Sequence, residues 1–309
     1  MTSRCEALDG AAMRFASRTG GEAERGGAVG VEEGFRAACG GWGAPRGEAT
    51  AFAARAGAES GEVLSFGVEA IDRRLGAAGG LALGALHEIA CDESREAGAV
   101  TGVCVALLAR LLAERPGRVL WITTAEARRE AGRLDGPGLA ALGLGPGRLV
   151  EVRAERPEEA LWAFEEGLSC RGTAAVVAEV PGRAAALDLT ATRRLALRAR
   201  AGGGVLGLLL RVAGPAQTTA AATRWRVSAG ASRILGGFAP GLGRPVFRLE
   251  LEKNRDGRLG SFEVEWSSHD RRFAFLPAHP GAVPAETRDR PAAPAGEGRV
   301  LAFERPVRR

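Results

Sequence analysis

The sequence predicts an α/β fold with a mostly parallel sheet and helices on both of its faces. Between residues 85 and 211, apolar runs of strand length alternate with segments of helical periodicity, which is typical of parallel strands joined by crossover helices. The runs 174–180 and 205–211 are apolar almost throughout, as expected for strands buried on both faces. After residue 223 the pattern changes to short alternating strands, which indicates an antiparallel end to the sheet.

Local signals place each element in order along the chain. Proline stands in the first turn of two helical segments, at Pro137 and Pro157, where its fixed backbone angle is favourable. The segment 100–114 is apolar nearly all round, so its helix should be buried. The tetrapeptide NRDG supplies turn residues between the last two strands, which should pair as a hairpin. The predicted strands are 85–90, 118–123, 149–153, 174–180, 205–211, 225–227, 246–252 and 261–266, and the predicted helices are 100–114, 137–142, 157–168 and 190–201.

Composition divides the 309 residues into three parts. Residues 1–60 are rich in Gly, Ala, Glu and Arg with few apolar side chains, so we expect a mostly disordered extension. Residues 61–276 form one folded domain. Residues 277–309 begin as a Pro/Ala/Gly-rich stretch, which should be extended. We expect the apolar cluster near its end to act as a docking motif for a partner, carried by Val300, Leu301 and Phe303.

The cysteines and apolar stretches exclude two kinds of protein. Five cysteines form no C-x-x-C pair, and three histidines show no ligand spacing with them, so we expect no metal site and reduced thiols. The most apolar stretches, 99–109 and 202–210, end at arginines and are too short to span a bilayer. No N-terminal segment reads as a secretory signal. We therefore expect a cytoplasmic protein with no membrane contact.

Charge is unevenly distributed along the folded part. Acidic residues outnumber basic ones between 61 and 180, whereas basic residues outnumber acidic ones between 181 and 276. A basic half suits nucleic acid or an acidic partner surface. The alternative is that these residues form an ordinary solvated face. Only Lys253 among the 42 basic residues is a lysine, so the many arginines reflect a general preference of the whole chain and need not mark a binding surface.

Several segments in a fixed order resemble RecA-type ATPases. SFGVEAIDRRLGAAGGLALGALHEIA (65–90) is similar to the RecA entry segment, AAVVAEV (174–180) to the Walker B strand, and LELEKNRDGRLGSFEVEW (249–266) to the basic segment and the hairpin after it. Within that superfamily the amino-acid sequence resembles the ImuA family most. The segments that carry this resemblance are PGLAALGL, ALWAFEEGL, LDLTATRRLALRA, TRWRV and GLGRPVFRLELEKNRDG. The resemblance covers about 61–276 and implies a RecA-like P-loop core with a C-terminal antiparallel hairpin.

The phosphate-binding loop of that core is degenerate in this chain. A working loop needs glycines, a lysine for the β/γ-phosphates and a Ser/Thr hydroxyl for Mg²⁺. Ala97 stands in place of the lysine and Gly98 in place of the hydroxyl residue, and three carboxylates would repel a triphosphate. We therefore expect no nucleotide cofactor and no enzymatic activity. The aligned loop positions are Cys91, Asp92, Glu93, Ser94, Arg95, Glu96, Ala97 and Gly98.

Three groups of residues are candidates for contacts with DNA or a partner. Four arginines on the predicted helix 190–201 would bind phosphates without sequence preference. The TRWRV segment adds two arginines and a tryptophan, which would either stack on a base or pack in the core. Lys253 and Arg255 resemble the RecA basic pair that reaches a neighbour's nucleotide, or are ordinary charges beside a turn. The helical and TRWRV residues are Arg193, Arg194, Arg198, Arg200, Arg224, Trp225 and Arg226.

The resemblance to the ImuA family implies a function in SOS-induced, error-prone translesion synthesis. In that role the chain would be a non-catalytic accessory protein that contacts a Y-family-like polymerase adaptor (ImuB) and RecA. It would contact an error-prone replicative-type polymerase indirectly, and DNA weakly and without sequence preference. Two alternatives stay open: a cell-division inhibitor of the SulA type, and a divergent RecA-like ATPase.

Overall fold

The computed structural model describes the central part of the chain and two short strands nearer the N-terminus. Contacts group the chain into two compact units, Met1–Leu276 and Pro277–Arg309. The whole of the second unit lies outside the described residues, and with it the expected docking motif of Val300, Leu301 and Phe303. The described ranges are 12–16, 29–30, 62–170, 172–214, 217–232, 243–255 and 257–276.

Thirteen strands and six α-helices are present in these ranges. The strands are β1 (Ala12–Ala16), β2 (Val29–Gly30), β3 (Val63–Leu64), β4 (Leu81–Ala82), β5 (Leu86–Ala90), β6 (Arg118–Thr124), β7 (Leu149–Ala154), β8 (Thr173–Pro181), β9 (Leu206–Val212), β10 (Thr223–Ala229), β11 (Val246–Asn254), β12 (Gly260–Ser267) and β13 (Arg272–Leu276). The helices are α1 (Glu69–Asp72), α2 (Ala97–Glu114), α3 (Ala125–Ala131), α4 (Gly136–Ala141), α5 (Pro157–Gly167) and α6 (Leu189–Ala201).

Eleven of the described strands form one sheet, in the order β13-β12-β11-β10-β5-β9-β8-β6-β7-β1-β2. The six strands from β10 to β7 are parallel to their neighbours in this order. The strands β11, β12 and β13 continue the sheet as an antiparallel meander. The predicted α/β class with a mostly parallel sheet is therefore confirmed, as is the hairpin around NRDG. Every helix and strand predicted between residues 85 and 266 is present, with ends shifted by three residues or fewer.

Strand β1 extends the sheet within a segment for which the sequence predicted no element. It pairs antiparallel with β7, with Phe15 opposite Val152, and β2 pairs in turn with β1. Both strands are short, and pairing with a neighbouring strand through main-chain hydrogen bonds is not visible in the sequence of the segment itself. The rest of the segment 1–60, which we expected to be mostly disordered, lies outside the described residues.

The sheet separates two apolar cores. Helices α1 and α2 cover one face, where Trp121, Val177 and Trp225 pack, and α5 and α6 cover the other, with Ile122 and Phe164. The alternation of Trp121 and Ile122 between the two cores follows from the period of two along a strand. Helix α2 is buried on most of its surface and acts as the central helix of the first core, as its sequence predicted.

One described helical segment, Ser94–Glu114, is long and apolar enough to cross a membrane by length and composition. Its most apolar window is 67% buried inside the protein. That burial agrees with a core helix, since α2 packs against the sheet along its length.

Side-chain caps set the beginnings of three helices. The carboxylates of Asp135 and Asp188 accept hydrogen bonds from the N–H groups of Gly138 and Ala191, both at 2.7 Å. The hydroxyl of Thr124 accepts one from Ala127 at 3.2 Å. Each bond satisfies an N–H group that has no partner within its own helix, a contribution of about 1 kcal/mol.

His87 joins three strands inside the protein. The side chain is buried, with Nδ1 2.8 Å from the Thr223 hydroxyl of β10 and Nε2 2.9 Å from the Ala82 carbonyl of β4. A neutral imidazole satisfies both bonds, accepting at Nδ1 and donating from Nε2. Burial lowers the pKa of His87 from 6.5 to about 4, although the bond to the Ala82 carbonyl favours the charged form.

We predict that His87 makes the protein sensitive to mild acid. Between pH 6.5 and 4 the unfolded chain binds a proton at this residue while the folded protein does not. Its contribution is therefore complete above pH 6.5 and is lost as the pH falls towards 4, by up to about 3 kcal/mol. Urea denaturation at several pH values should give a shallower pH dependence for His87→Gln than for wild type. His269→Gln, which removes an exposed imidazole, is the control, and identical slopes for wild type and His87→Gln would contradict the prediction.

Candidate functional site

The loop between β5 and α2 lies at the carboxyl end of the parallel strands, where ligands bind in open α/β sheets. It leaves the sheet at Cys91, between the neighbouring strands β9 and β10. A single 3₁₀ turn, Ser94–Glu96, then leads directly into α2. The strand, loop and helix therefore stand in the order that a phosphate-binding loop requires.

The loop folds back on itself rather than forming a cradle. The N–H of Cys91 donates to the Arg211 carbonyl at 3.1 Å, and the N–H of Glu96 donates to the Glu93 carbonyl at 3.0 Å. The Cys91 thiol also donates to the Glu93 carbonyl, at 3.3 Å. No residue between 91 and 98 has a positive φ. A concave nest of N–H groups needs such residues, so this backbone is not shaped to surround a phosphate.

The side chains of the loop add to the mismatch with a nucleotide. Ala97, which the resemblance in sequence aligned with the lysine, is buried, and Gly98, which it aligned with the hydroxyl residue, faces open space. Arg95 forms an ion pair with Glu93 at 2.7 Å, and Asp92 with Arg226. The loop's own arginine and two of its carboxylates are therefore engaged within the protein.

An open depression of about 550 Å³ lies beside this loop, lined by Asp92, Arg183, Gly214 and Gln217. Gly214, one of its lining residues, lies against Gly182 just beyond the ends of β9 and β8. A Cβ on Gly182 would lie 2.7 Å from Gly214 Cα, and one on Gly214 would lie 2.5 Å from Gly182 Cα. Glycine is required at both positions because any side chain would separate the two strand ends.

A buried ion cluster lies below the depression. The carboxylate of Glu88 on β5 accepts hydrogen bonds from Arg224 on β10 at 2.9 Å and from Arg211 on β9 at 3.3 Å, both to the same oxygen. Its other oxygen is buried without a hydrogen bond among the described residues. Burial lowers the pKa of Arg211, although the nearby Glu88 carboxylate favours its charged form. Two guanidinium groups thus share one carboxylate inside the sheet.

The cluster extends to the segment 217–222. Carbonyl groups of this segment accept hydrogen bonds from basic side chains. Arg224 donates to the Gln217 carbonyl, Lys253 to the Thr219 carbonyl, and Arg255 to the Ala220 carbonyl at 3.1 Å. Burial, with the nearby Arg255 and Arg224, lowers the pKa of Lys253. Lys253 and Arg255 therefore bind carbonyl groups of their own chain in this structure. This differs from contact with a neighbour's nucleotide, the role that the resemblance to RecA suggested for them.

In the TRWRV segment the structure favours core packing of the tryptophan over stacking on a base. Trp225 is 2% exposed, and its ring lies 5.1 Å from that of Phe66 and 6.4 Å from that of Phe262. A base cannot reach it, because β10 is a central strand and this face is covered by the first core. Arg224 is buried with Glu88, and Arg226 pairs with Asp92 and Glu252. These side chains stabilise the sheet and are not free to bind phosphates.

The four arginines of α6 do lie on the surface. Arg193, Arg194, Arg198 and Arg200 are all exposed. Arg194 forms an ion pair with Glu165 of α5, and Arg198 lies 3.6 Å from Glu166. Helices α5 and α6 cover the same face of the sheet. Helix α2, which follows the loop 91–98, covers the opposite face.

The sequence reading missed the two residues that organise this end of the sheet, Glu88 and Arg211. The signal was present, since each is a charged residue inside an otherwise apolar strand, LHEIA and LGLLLRV. Charged residues are almost never fully buried unless they are paired. The pairing itself could not be inferred, because β5 and β9 are more than a hundred residues apart in sequence.

The cysteines differ in part from the expectation of reduced thiols. Cys91 and Cys104 are free and buried, whereas Cys170 is disulfide-bonded. Its partner lies outside the described residues. Pairing depends on approach in space, which an odd number of widely spaced cysteines does not reveal. Among the described residues no three His, Cys, Asp or Glu side chains come together as metal ligands.

Comparison with known proteins identifies the family. No family model matches the sequence. The chain is 37% identical over 209 residues to "Protein ImuA" of Caulobacter vibrioides strain NA1000 / CB15N, a match covering 63% of this chain and 78% of the relative. The ImuA protein of strain ATCC 19089 / CIP 103742 / CB 15 matches equally. The chain belongs to the ImuA family. The resemblance of the sequence to the ImuA family is therefore confirmed for this ImuA-family chain.

We predict that the Glu88 cluster is a main support of the sheet. Glu88→Gln keeps the shape of the side chain but leaves Arg211 and Arg224 buried without a counter-charge, which should cost about 3–5 kcal/mol of unfolding free energy. The matched control is Glu263→Gln, which removes the partner of Arg248 in a 3.7 Å pair that is largely exposed. That change should cost about 1 kcal/mol or less. Urea denaturation measures both, and similar small losses would show that the cluster is dispensable.

Proposed function

We propose that this ImuA-family protein is a non-catalytic accessory protein of damage-induced mutagenesis. Membership of the family supports a role in that system. In the proposed role it associates with an ImuB-like polymerase adaptor and with RecA in the cytoplasm, and through them with an error-prone replicative-type polymerase. The protein would bring partners together rather than perform chemistry.

We further propose that the fold is a RecA-type core. Three features support it: six adjacent parallel strands, a loop and buried helix directly after the central strand β5, and an antiparallel meander beyond β10. A core of this kind would offer partners a surface that resembles a RecA protomer.

One observation carries the non-catalytic part of the proposal, namely the state of the loop 91–98. Ala97 is 3% exposed and packs in the first core, so the lysine position has become a core position. The backbone has no positive φ there, and Asp92 pairs with Arg226. A triphosphate would find no cation at the lysine position and several carboxylates nearby, which is repulsive.

We predict no ATP hydrolysis and no tight ATP binding. Thermal unfolding with and without Mg-ATP is the direct measurement, beside a working RecA-type ATPase as positive control. A ligand at 100 times its Kd would add about 2.7 kcal/mol of stability, whereas we expect no shift. ATP turnover that is abolished by a substitution confined to residues 91–98 would contradict the prediction and favour the divergent ATPase.

We predict that the purified full chain binds the ImuB-like adaptor and RecA, and that deletion of residues 298–309 abolishes at least one of these interactions. Burying Leu301 and Phe303 on a partner would contribute roughly 1.5–3 kcal/mol each. The melting temperature should stay unchanged if the tail serves only in docking. A lowered melting temperature with intact binding would show that the tail is structural. Binding of FtsZ, with neither adaptor nor RecA bound, would favour the SulA-type alternative.

A further inference from the structure

The solvent face of helix α6 carries a short stripe of three residues. Arg193, Leu197 and Arg200 are spaced by four and three positions, which places them on one face of a helix. Leu197 is 67% exposed, more than the other exposed large apolar side chains of the described residues, Leu259 at 52% and Phe275 at 47%. A single exposed leucine is ordinary on a protein surface, so the informative feature is its position between two cations on one helix face.

The orientation of this stripe is set by the opposite face of α6. Thr192, Leu195 and Ala199 are buried in the second core, and the Thr192 hydroxyl accepts a hydrogen bond from the N–H of Ala220 at 3.1 Å. Rotation of the helix to hide Leu197 would expose Leu195. The exposure of Leu197 therefore follows from the packing of the helix and not from a loosely held side chain.

Ion pairs engage two of the four arginines of α6, and positive charge remains on the face that carries Leu197. Arg194 and Arg198, on the side towards α5, pair with Glu165 and Glu166. Among the described residues no carboxylate lies within ion-pair distance of Arg193 or Arg200. The two unpaired guanidinium groups are those that flank Leu197. They are seven positions apart along the helix, so their backbones are about 10 Å apart.

This pattern fits an acidic protein segment better than a nucleic acid. A phosphate backbone would use all four arginines and would leave Leu197 exposed, because base edges and sugars offer it little apolar surface. Here two of the four arginines are already neutralised by glutamates. A helix with an apolar residue between two carboxylates about two turns apart would match the stripe in both charge and spacing.

We propose that Arg193, Leu197 and Arg200 form a docking surface for an acidic helix of a protein partner, with an apolar residue of that helix seated on Leu197. The proposal rests on the proposed function, which directs the search to the polymerase adaptor and RecA. Leu197 supplies the buried contact at the centre of the surface, and the two arginines supply the charged rim.

The test compares binding of full-length variants to the purified adaptor, to purified RecA and to a double-stranded oligonucleotide. Leu197→Ala should weaken binding to one protein partner by about tenfold or more, since most of a buried leucine contact is lost. The double variant Arg193→Ala/Arg200→Ala should weaken it at low salt and have little effect at high salt, where exposed charges are screened. The control Leu259→Ala, an exposed leucine beyond the NRDG turn, should bind like wild type.

The outcomes separate this inference from the function on which it rests. Wild-type binding to a partner with no loss in Leu197→Ala overturns the docking surface and leaves the proposed function intact. Failure of the wild-type chain to bind either protein overturns both. Oligonucleotide binding that depends on the two arginines but not on Leu197, without an effect on protein binding, assigns the face to nucleic acid and also overturns the docking surface. Equal melting temperatures across the variants show that no result reflects unfolding.

Discussion

The buried carboxylate of Glu88 is the interaction on which this end of the molecule depends. It lies on β5, between β9 on one side and β10 on the other, and it binds an arginine from each of them. Desolvating three charges is costly, and the cost is recovered only where the geometry of the pairs is good. The three parallel strands β9, β5 and β10 are therefore tied together next to the position where the antiparallel strand β11 joins the sheet.

The same arginines connect the sheet to the loops around it. Arg211 also donates to the Gly182 carbonyl at 3.0 Å and to the Gln217 side chain at 2.7 Å, and its own carbonyl accepts from Cys91. One side chain and its backbone thus bind the ends of β8 and β5 and the segment 217–222. In a nucleotide-binding protein these loops would be held by a ligand, whereas here internal cations hold them.

This arrangement agrees with a protein that acts by association. Charges near the loop 91–98 are mostly paired within the chain, so the depression beside it offers few free groups apart from the exposed Arg183. Two further arginines without an ion pair among the described residues, Arg193 and Arg200, flank Leu197 on α6, and this helix packs in the opposite core from the buried helix after the loop. A loop whose charges are largely paired internally and a separate exposed surface on α6 are both compatible with the accessory role proposed above.

The sequence by itself determined the α/β class and most helices and strands between residues 85 and 266. Hydrophobic periodicity, Pro137, Pro157 and the NRDG turn are local signals, and local signals suffice for elements such as α2 or β8. The lack of a lysine between residues 91 and 98 is likewise visible without coordinates. Only the tertiary structure decided which charged residues are free. Arg224 and Arg198 look alike in sequence, but one is buried against Glu88 and the other is exposed on α6, because ion pairing and burial depend on residues that are distant in the chain.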